Sequence, residues 1–290
     1  MTLSRKQSGF TLVEIIIVIA IMGIIGGLST LIIGRSLDSY AALERRENMQ
    51  TSIRLAVERI SRELRNALPN SICVNNGGAC INGSGSQFHF IPIRDSGRYQ
   101  DRPGVYTAPP PIQRNRLPVT PLSRDRFDVL STNIANPLLA AVDDRVVVYN
   151  INNVDIYNPV NNIRRPINAI VPIDIDGDAN PDTIQIRFNG NQSFANHSPS
   201  RRFHIIDNAQ QVTSFSFLLV GNQLFRDTTT LNAPNAAVAP QLLMQNVQAC
   251  TFTYTPGSQT RAGLLRINIT VAEQGETIQV IHDAHVYNTP

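Results

Sequence analysis

Apolar and polar residues are unevenly spread along this chain of 290 residues, and the longest apolar segment lies near its start. It runs from Ile15 to Ile33, 19 residues without a charged side chain. A helix of that length reaches roughly 28 Å, close to the thickness of a bilayer core. The residues before Phe10 include Arg5 and Lys6 but no acid, and positive charge ahead of an apolar span holds that end in the cytoplasm. The pattern predicts one membrane helix, with the rest of the chain across the membrane.

The helical period continues beyond this apolar segment. Large apolar residues recur every three or four positions, and charged residues occupy the other faces, as is typical of an amphipathic helix. The apolar positions are Met49, Ile53, Val57, Ile60, Leu64 and Leu68. Pro69 cannot continue a helix. We therefore predict one helix over residues 10–68, with residues 10–34 in a membrane or filament core and the second half against a soluble domain.

Beyond Leu68 the apolar period changes to two, which is typical of half-buried strands. The predicted strands are Gln87–Ile93, Arg145–Ile151, Thr183–Phe188, Val212–Val220, Cys250–Tyr254, Leu264–Val271 and Thr277–Tyr287. Gly221-Asn222 predicts a two-residue hairpin turn, and the Pro- and Arg-rich stretch Arg98–Arg126 predicts a long surface loop. The element order predicts an α+β fold, in which a long membrane-spanning N-terminal helix packs on an antiparallel β-sheet domain of residues 69–290.

The most specific motif is Gly9-Phe10-Thr11-Leu12-Val13-Glu14, at the junction of the basic leader and the apolar span. A secretory signal has its small-residue cleavage site after the apolar segment, whereas Gly9 lies before it. The arrangement resembles the prepilin signal of type IV pilins and type II secretion pseudopilins. This resemblance implies that a membrane-embedded prepilin peptidase removes residues 1–9 by cutting between Gly9 and Phe10, and then methylates the amino group of Phe10.

Glu14 places a carboxylate at the start of the membrane helix. A charge at the bilayer centre costs about 2.5–3.5 kcal/mol even on permissive scales, so an intramembrane acid usually has a partner. The resemblance supplies one, the free amino terminus of a neighbouring subunit in the filament, with Glu14 as the fifth residue of the mature chain. The alternative is a plain signal-anchor in which Glu14 lies near the membrane interface.

Softer patterns favour particular branches of this family. Glu58–Ala67 resembles the helix end of J-type pseudopilins and related large minor pilins. Arg145–Asn150, Asn246–Phe252 and His285–Pro290 resemble the MshO minor pilins of mannose-sensitive haemagglutinin pili. The resemblance implies an inner-membrane minor pilin with a periplasmic domain, which binds other minor and major pilins through its N-terminal helix and helps to prime or cap a type IV pilus. The alternatives are a J-like subunit of a type II secretion pseudopilus and an adhesive tip-binding module.

The chain contains three cysteines. Cys73 and Cys80 flank the short segment Val74–Ala79, which closes easily into a loop. Because the periplasm is oxidising, we predict a disulfide between them. Zinc would need further ligands, and no Cys or His pair stands nearby at the usual spacing. Cys250 lies in an alternating segment and is predicted to be a buried strand thiol.

An acidic segment is the candidate metal site. Its potential calcium ligands are Asp174, Asp176, Asp178, Asn180 and Asp182. Carboxylates at such spacing repel one another unless a hard cation neutralises them, and calcium takes about six to eight oxygen ligands. The segment resembles the Asp-x-Asp-Gly-Asp calcium loops of integrin-type propeller repeats, but it lacks the closing Glu and the glycine position of an EF-hand. The alternative is an acidic turn between two strands.

The remaining features do not point to catalysis or to nucleic acid. Net charge falls from +3 to +1 when residues 1–9 are removed, so no general affinity for polyanions is expected. Ser84 lies in a Gly-Ser linker rather than at a strained turn, and His282 and His285 fall on opposite faces of a predicted strand. The pairs Arg164-Arg165 and Arg201-Arg202 are expected to be solvated. We predict no catalytic residue, and calcium is the cofactor that the sequence suggests.

Overall fold

The computed structural model describes the chain outside residues 1–9, 76–82, 107–111, 131–142, 152, 159–162, 208–210, 219–220, 231–239, 258–260 and 287–290. The chain divides into two compact units, Met1–Thr51 and Ser52–Pro290. The first unit is helical and the second is mainly built of strands.

One helix, α1 (Leu12–Leu64), belongs to the first unit and continues into the second without a break. It ends four residues before the predicted end at Leu68. The reason is that the following backbone pairs with strand residues instead. The Leu68 amide donates to the Ile91 carbonyl oxygen at 2.8 Å, and Ala67 forms an antiparallel bridge with Pro92.

Each predicted strand coincides with or overlaps an observed one. The described strands are β1 (Cys73–Asn75), β2 (Ser84–Gly85), β3 (Gln87–Phe90), β4 (Ile93–Arg98), β5 (Gly104–Tyr106), β6 (Ile112–Arg114), β7 (Arg124–Val129), β8 (Arg145–Val147), β9 (Arg164–Ile173), β10 (Thr183–Gln192), β11 (Arg202–Ile206), β12 (Gln211–Leu218), β13 (Gln223–Thr230), β14 (Gln241–Met244), β15 (Val247–Thr255), β16 (Gly263–Glu273) and β17 (Glu276–Val286). A short helix, α2 (Asn153–Tyr157), lies between β8 and β9.

Two antiparallel sheets contact the end of α1. One has the strand order β1-β3-β12-β13-β14 and the other the order β17-β16-β15-β2. The Nε–H of Arg226 on β13 donates to both carboxylate oxygens of Glu63, at 3.1 and 3.0 Å. Ser61 Oγ lies 3.2 Å from Nε2 of His282 on β17. The predicted α+β class, a long N-terminal helix followed by an antiparallel β-sheet domain, is confirmed.

The last turns of α1 are held by an apolar stripe. Ile53 is 2% exposed, and Ile60 and Leu64 are fully buried. Their spacing puts them on one face of the helix. Full burial of each such side chain stabilises the fold by about 1.5–3 kcal/mol, so this stripe holds the last turns of α1 within the second unit.

A third sheet forms a lobe with its own core, the six-stranded lobe. Its strand order is β4-β11-β8-β9-β10-β7. The Phe127 ring centroid lies 5.4 Å from that of Phe203 and 5.8 Å from that of Phe188. The lobe also includes part of the predicted surface loop Arg98–Arg126, which contains the β5–β6 hairpin and the start of β7.

The predicted strand Arg145–Ile151 is shorter in the structure and ends at Val147. The physical reason is Tyr149, whose φ of 52° lies in the left-handed region. An extended strand cannot continue through that conformation. The residues after Val147 therefore leave the sheet.

The predicted hairpin around Gly221-Asn222 is present. β12 and β13 pair antiparallel, and the last described pair before the turn is Leu218 with Gln223. Gly221 has a φ of 103° and Asn222 a φ of 51°. Glycine and asparagine are the residues that adopt such left-handed turn conformations most readily.

Candidate functional site

The N-terminal end of α1 is closed by a reciprocal cap between Thr11 and Glu14. Oγ1 of Thr11 accepts the Glu14 amide at 3.3 Å, and Oε2 of Glu14 accepts the Thr11 amide at 3.4 Å. This is a capping box, in which a Thr and a Glu three residues later satisfy each other's amides. The cap explains why α1 begins at Leu12 rather than at Phe10. This role of Glu14 was not predicted, although the Thr-x-x-Glu spacing signals it.

The apolar part of α1 is exposed along its length. It contains an 18-residue window that is long and apolar enough to cross a membrane, and none of that window is buried. Ile19 and Ile32 are both 65% exposed, and Phe10 is 79% exposed; Gly9 lies outside the described residues. A continuous apolar surface of this kind marks contact with a membrane or with another protein.

The acidic segment between β9 and β10 brings three carboxylates together. One oxygen from each of Asp174, Asp176 and Asp182 lies within 4.8 Å of the other two. Backbone amides donate to all three side chains, and the two shortest of these bonds are to Asp182 and Asp174. Oδ2 of Asp182 accepts the Ile175 amide at 2.6 Å, and Oδ1 of Asp174 accepts the Gly177 amide at 2.7 Å. A group of carboxylate oxygens at this separation suits a hard cation such as calcium.

The fourth aspartate of the segment, Asp178, lies outside this cluster. Its two oxygens accept the backbone amide and the Nδ2 of Asn180, at 2.7 and 3.1 Å. In Asp176, the hydrogen bond from the Asp178 amide lowers the carboxyl pKa, but desolvation and the negative charges of Asp178, Asp182 and Asp174 outweigh it, so the pKa is raised. The carboxylates therefore repel one another, which is the electrostatic condition for cation binding. The calcium site stays a prediction.

The cysteines lie in the second unit. Cys73 is buried at the start of β1, whereas Cys80 lies outside the described residues, so their disulfide stays a prediction. Cys250 is a free thiol on β15 and is 4% exposed, as predicted. Burial raises the pKa of Cys250 to about 12. The thiol is therefore protonated and unreactive at neutral pH.

The segment around Ser84 is a short strand rather than the predicted linker. Ser84 and Gly85 pair with β15, and Ser84 Oγ lies 2.6 Å from Thr253 Oγ1. A Cβ at position 85 would lie 2.3 Å from the Asn75 carbonyl oxygen. Glycine at position 85 therefore allows the backbones of β1 and β2 to approach each other closely.

His282 and His285 lie on opposite faces of β17, as predicted. His282 is half-buried toward Ser61 of α1, and His285 is exposed. Side chains three positions apart on a strand cannot bind one metal ion together.

A cleft of about 420 Å³ opens in the six-stranded lobe and was not predicted. Arg165 lines it and is half-buried instead of solvated: its Nε and Nη2 donate to the Ser193 carbonyl oxygen at 3.1 and 2.6 Å. Burial lowers the pKa of Arg165. The cleft has no sequence signal, because segments that are far apart in the chain form it.

The other predicted arginine pair lies outside the cleft lining. Its Arg201 forms an ion pair with Asp101 at 2.9 Å.

The N-terminal segment has a counterpart among known protein families. Residues 4–30 match the prokaryotic N-terminal methylation motif. No curated protein and no solved structure matches the chain. The motif indicates a type IV pilin-like or pseudopilin protein, and it implies processing by prepilin peptidase and assembly with other pilins. Together with the long apolar helix, it fits anchoring in a membrane.

Proposed function

We propose that this protein is a minor pilin that helps to prime or cap a type IV pilus of the mannose-sensitive haemagglutinin kind. The observation that carries the proposal is the methylation motif at residues 4–30, which includes the start of a long, exposed apolar helix. Such a motif favours a structural subunit over an enzyme. In this proposal the helix is anchored in the bacterial inner membrane, the leader is cytoplasmic before cleavage, and residues 69–290 are periplasmic.

Glu14 has two successive partners in this proposal. Within its own chain it accepts the Thr11 amide at 3.4 Å, which is long for a hydrogen bond and therefore weak. In the filament, its carboxylate pairs with the amino terminus of Phe10 in a neighbouring subunit. Opposite charges attract far more strongly in such low-dielectric surroundings than in water.

Two substitutions separate these roles of Glu14. Glu14→Gln keeps the cap, because Gln also serves at that position of a capping box, but it removes the charge. Glu14→Leu removes both. Since neither change makes membrane insertion harder, both variants are expected to be inserted and processed, yet to be lost from complexes with other minor pilins. If Glu14→Gln co-purifies with other minor pilins at the wild-type level, Glu14 acts only as a helix cap.

Deletion of the chain separates the candidate functions. Loss of pili supports the assembly role. Loss of protein secretion with intact pili supports a J-like pseudopilin. Intact pili that fail to attach support an adhesive tip module, and the cleft in the six-stranded lobe is the observation that favours this second candidate.

Two features of the periplasmic part belong to the same proposal. We propose that Asp174, Asp176 and Asp182 bind calcium, supported by the distances between their oxygens. We also propose the Cys73–Cys80 disulfide, supported by the short segment between the two residues and by the oxidising compartment.

A further inference from the structure

The cleft in the six-stranded lobe contains Arg165, a cation that has no carboxylate partner among the described residues. A guanidinium has five N–H donors, and Arg165 uses two of them on the Ser193 carbonyl oxygen. Its Cζ lies 5.9 Å from the centroid of the Phe194 ring. Within the part of the chain that the structure describes, Arg165 forms no ion pair. Donors therefore remain for an anion from outside the chain.

The surroundings of Arg165 make such an anion favourable. Burial lowers the pKa of Arg165, because a desolvated charge is costly unless it is paired. Asp155 also lines the cleft, but it interacts with other groups of the protein. A ligand carboxylate can meet a guanidinium with two parallel hydrogen bonds, which is among the strongest polar contacts in proteins.

The other polar groups of the lining are uncharged. Thr120 and Ser193 provide hydroxyls, and Asn196 provides an exposed amide. The Thr120 hydroxyl already donates to the Phe194 carbonyl oxygen at 3.2 Å, so it is left as an acceptor. Tyr149 contributes an aromatic wall. Ligand hydroxyls suit this mixture, since each both donates and accepts.

We propose that this cleft binds an acidic saccharide, a sugar unit that carries a carboxylate. The carboxylate binds Arg165, the sugar hydroxyls bind Thr120 and Asn196, and the apolar face of the ring lies against Tyr149. A cleft of about 420 Å³ falls in the size range of small-ligand sites, roughly 300–1,000 Å³. The proposal does not depend on the assembly role.

The test uses the full chain in detergent micelles and three probes: D-glucuronate, D-glucose and acetate. Saturation-transfer NMR and calorimetric titration measure binding. D-glucuronate is expected to bind saturably and at least about tenfold more tightly than D-glucose, because it adds a charge-assisted contact. Acetate is expected to bind more weakly than D-glucuronate, because it lacks the hydroxyls.

Three variants locate the site. Arg165→Gln is expected to bring D-glucuronate affinity down to that of D-glucose. Asn196→Trp fills the exposed edge of the cleft and is expected to abolish the binding of both D-glucuronate and D-glucose. It replaces an exposed residue, so no buried side chain is changed. Arg164→Gln is the matched control, since its side chain does not line the cleft. If circular dichroism shows that Arg165→Gln does not fold, the binding of D-glucuronate by Asn196→Trp decides whether the cleft is the site.

Three results would overturn the proposal. The first is no saturable D-glucuronate binding by the wild-type chain. The second is unchanged D-glucuronate affinity in Asn196→Trp. The third is tighter binding of N-acetylalanine than of D-glucuronate, which would identify a peptide carboxyl end as the ligand.

Discussion

Two isoleucines on the same helix meet opposite surroundings. Ile24 of α1 is 64% exposed, whereas Ile60 is fully buried. Ile60 belongs to a buried apolar stripe in the last turns of α1, whereas the first half of the helix presents apolar side chains on all faces. Since both segments are helical, the difference indicates that the first half is suited to contact with a membrane or with another protein.

Two glutamates of α1 show the same contrast. Glu63 interacts with Arg59 at 3.2 Å and with Arg226 at 3.0 Å. Glu14 interacts with Thr11, and it forms no ion pair among the described residues. An acid within a membrane span usually has a partner. The filament proposal supplies one from outside the described residues, the amino terminus of a neighbouring subunit.

Truncation of the two isoleucines is the strongest test of this contrast. Ile60→Ala is expected to lower the free energy of unfolding of the second unit by about 2–5 kcal/mol, because it leaves a cavity in a packed core. Ile24→Ala is the matched control and should leave that free energy unchanged. Urea unfolding of the full chain in detergent, followed by circular dichroism, measures both. Equal effects of the two substitutions would contradict the division of α1.

Acidification should destabilise the β-rich unit through two buried histidines. Burial lowers the pKa of His89 from 6.5 to about 4, and burial together with the charge of Arg202 does the same for His204. The unfolded chain then takes up protons at a higher pH than the folded chain. The stabilisation is complete above pH 6.5 and is lost as the pH falls toward 4, by roughly 3 kcal/mol for each histidine.

A His204 variant distinguishes the contribution of the histidines to the loss of stability from that of the acidic residues, which also take up protons. Both ring nitrogens of His204 lack hydrogen-bond partners among the described residues. His204→Leu therefore removes no hydrogen bond within that part of the chain and should flatten the loss of stability between pH 7 and pH 4.5. His285→Asn, at an exposed position, should leave the slope unchanged. Urea unfolding across the pH range is the measurement. The same slope in His204→Leu and the wild type would rule out the histidine contribution.

Calcium should stabilise the six-stranded lobe if the acidic segment binds it. At a free concentration 100 times the dissociation constant, the gain is about 2.7 kcal/mol. Asp176→Ala is expected to abolish the rise in melting temperature between chelator and calcium. Asp178→Ala should keep most of it, because Asp178 is bonded to Asn180 outside the cluster. Identical melting curves of the wild type in calcium and in chelator would favour the simple acidic turn.

Periodicity predicted the helix and the strands well, because apolar spacing reports directly on local geometry. β16 and β17 contain nearly all of the predicted strands Leu264–Val271 and Thr277–Tyr287. Features that depend on a single backbone angle were missed, such as the end of β8 caused by the left-handed Tyr149. Periodicity also does not report how strands are distributed, so the separate six-stranded lobe was not foreseen.

The candidate sites divide in the same way. The methylation motif is a continuous segment and was visible in the sequence. In the acidic segment, spacing indicated which residues are close, but only the backbone conformation turns Asp178 away from Asp176. The cleft around Arg165 combines residues from Thr120 to Asn196. No local pattern connects them, so sequence alone could not predict it.

The most direct test of the pilin assignment is the mass of the mature protein. We expect mass spectrometry of the chain, extracted from membranes of cells that contain prepilin peptidase, to show an N-terminus at Phe10 that carries a methyl group. Replacement of Gly9 by a bulky residue, Gly9→Leu, should leave the precursor uncut. An N-terminus at Met1, or one beyond Ile33, in the wild-type protein would contradict the assignment.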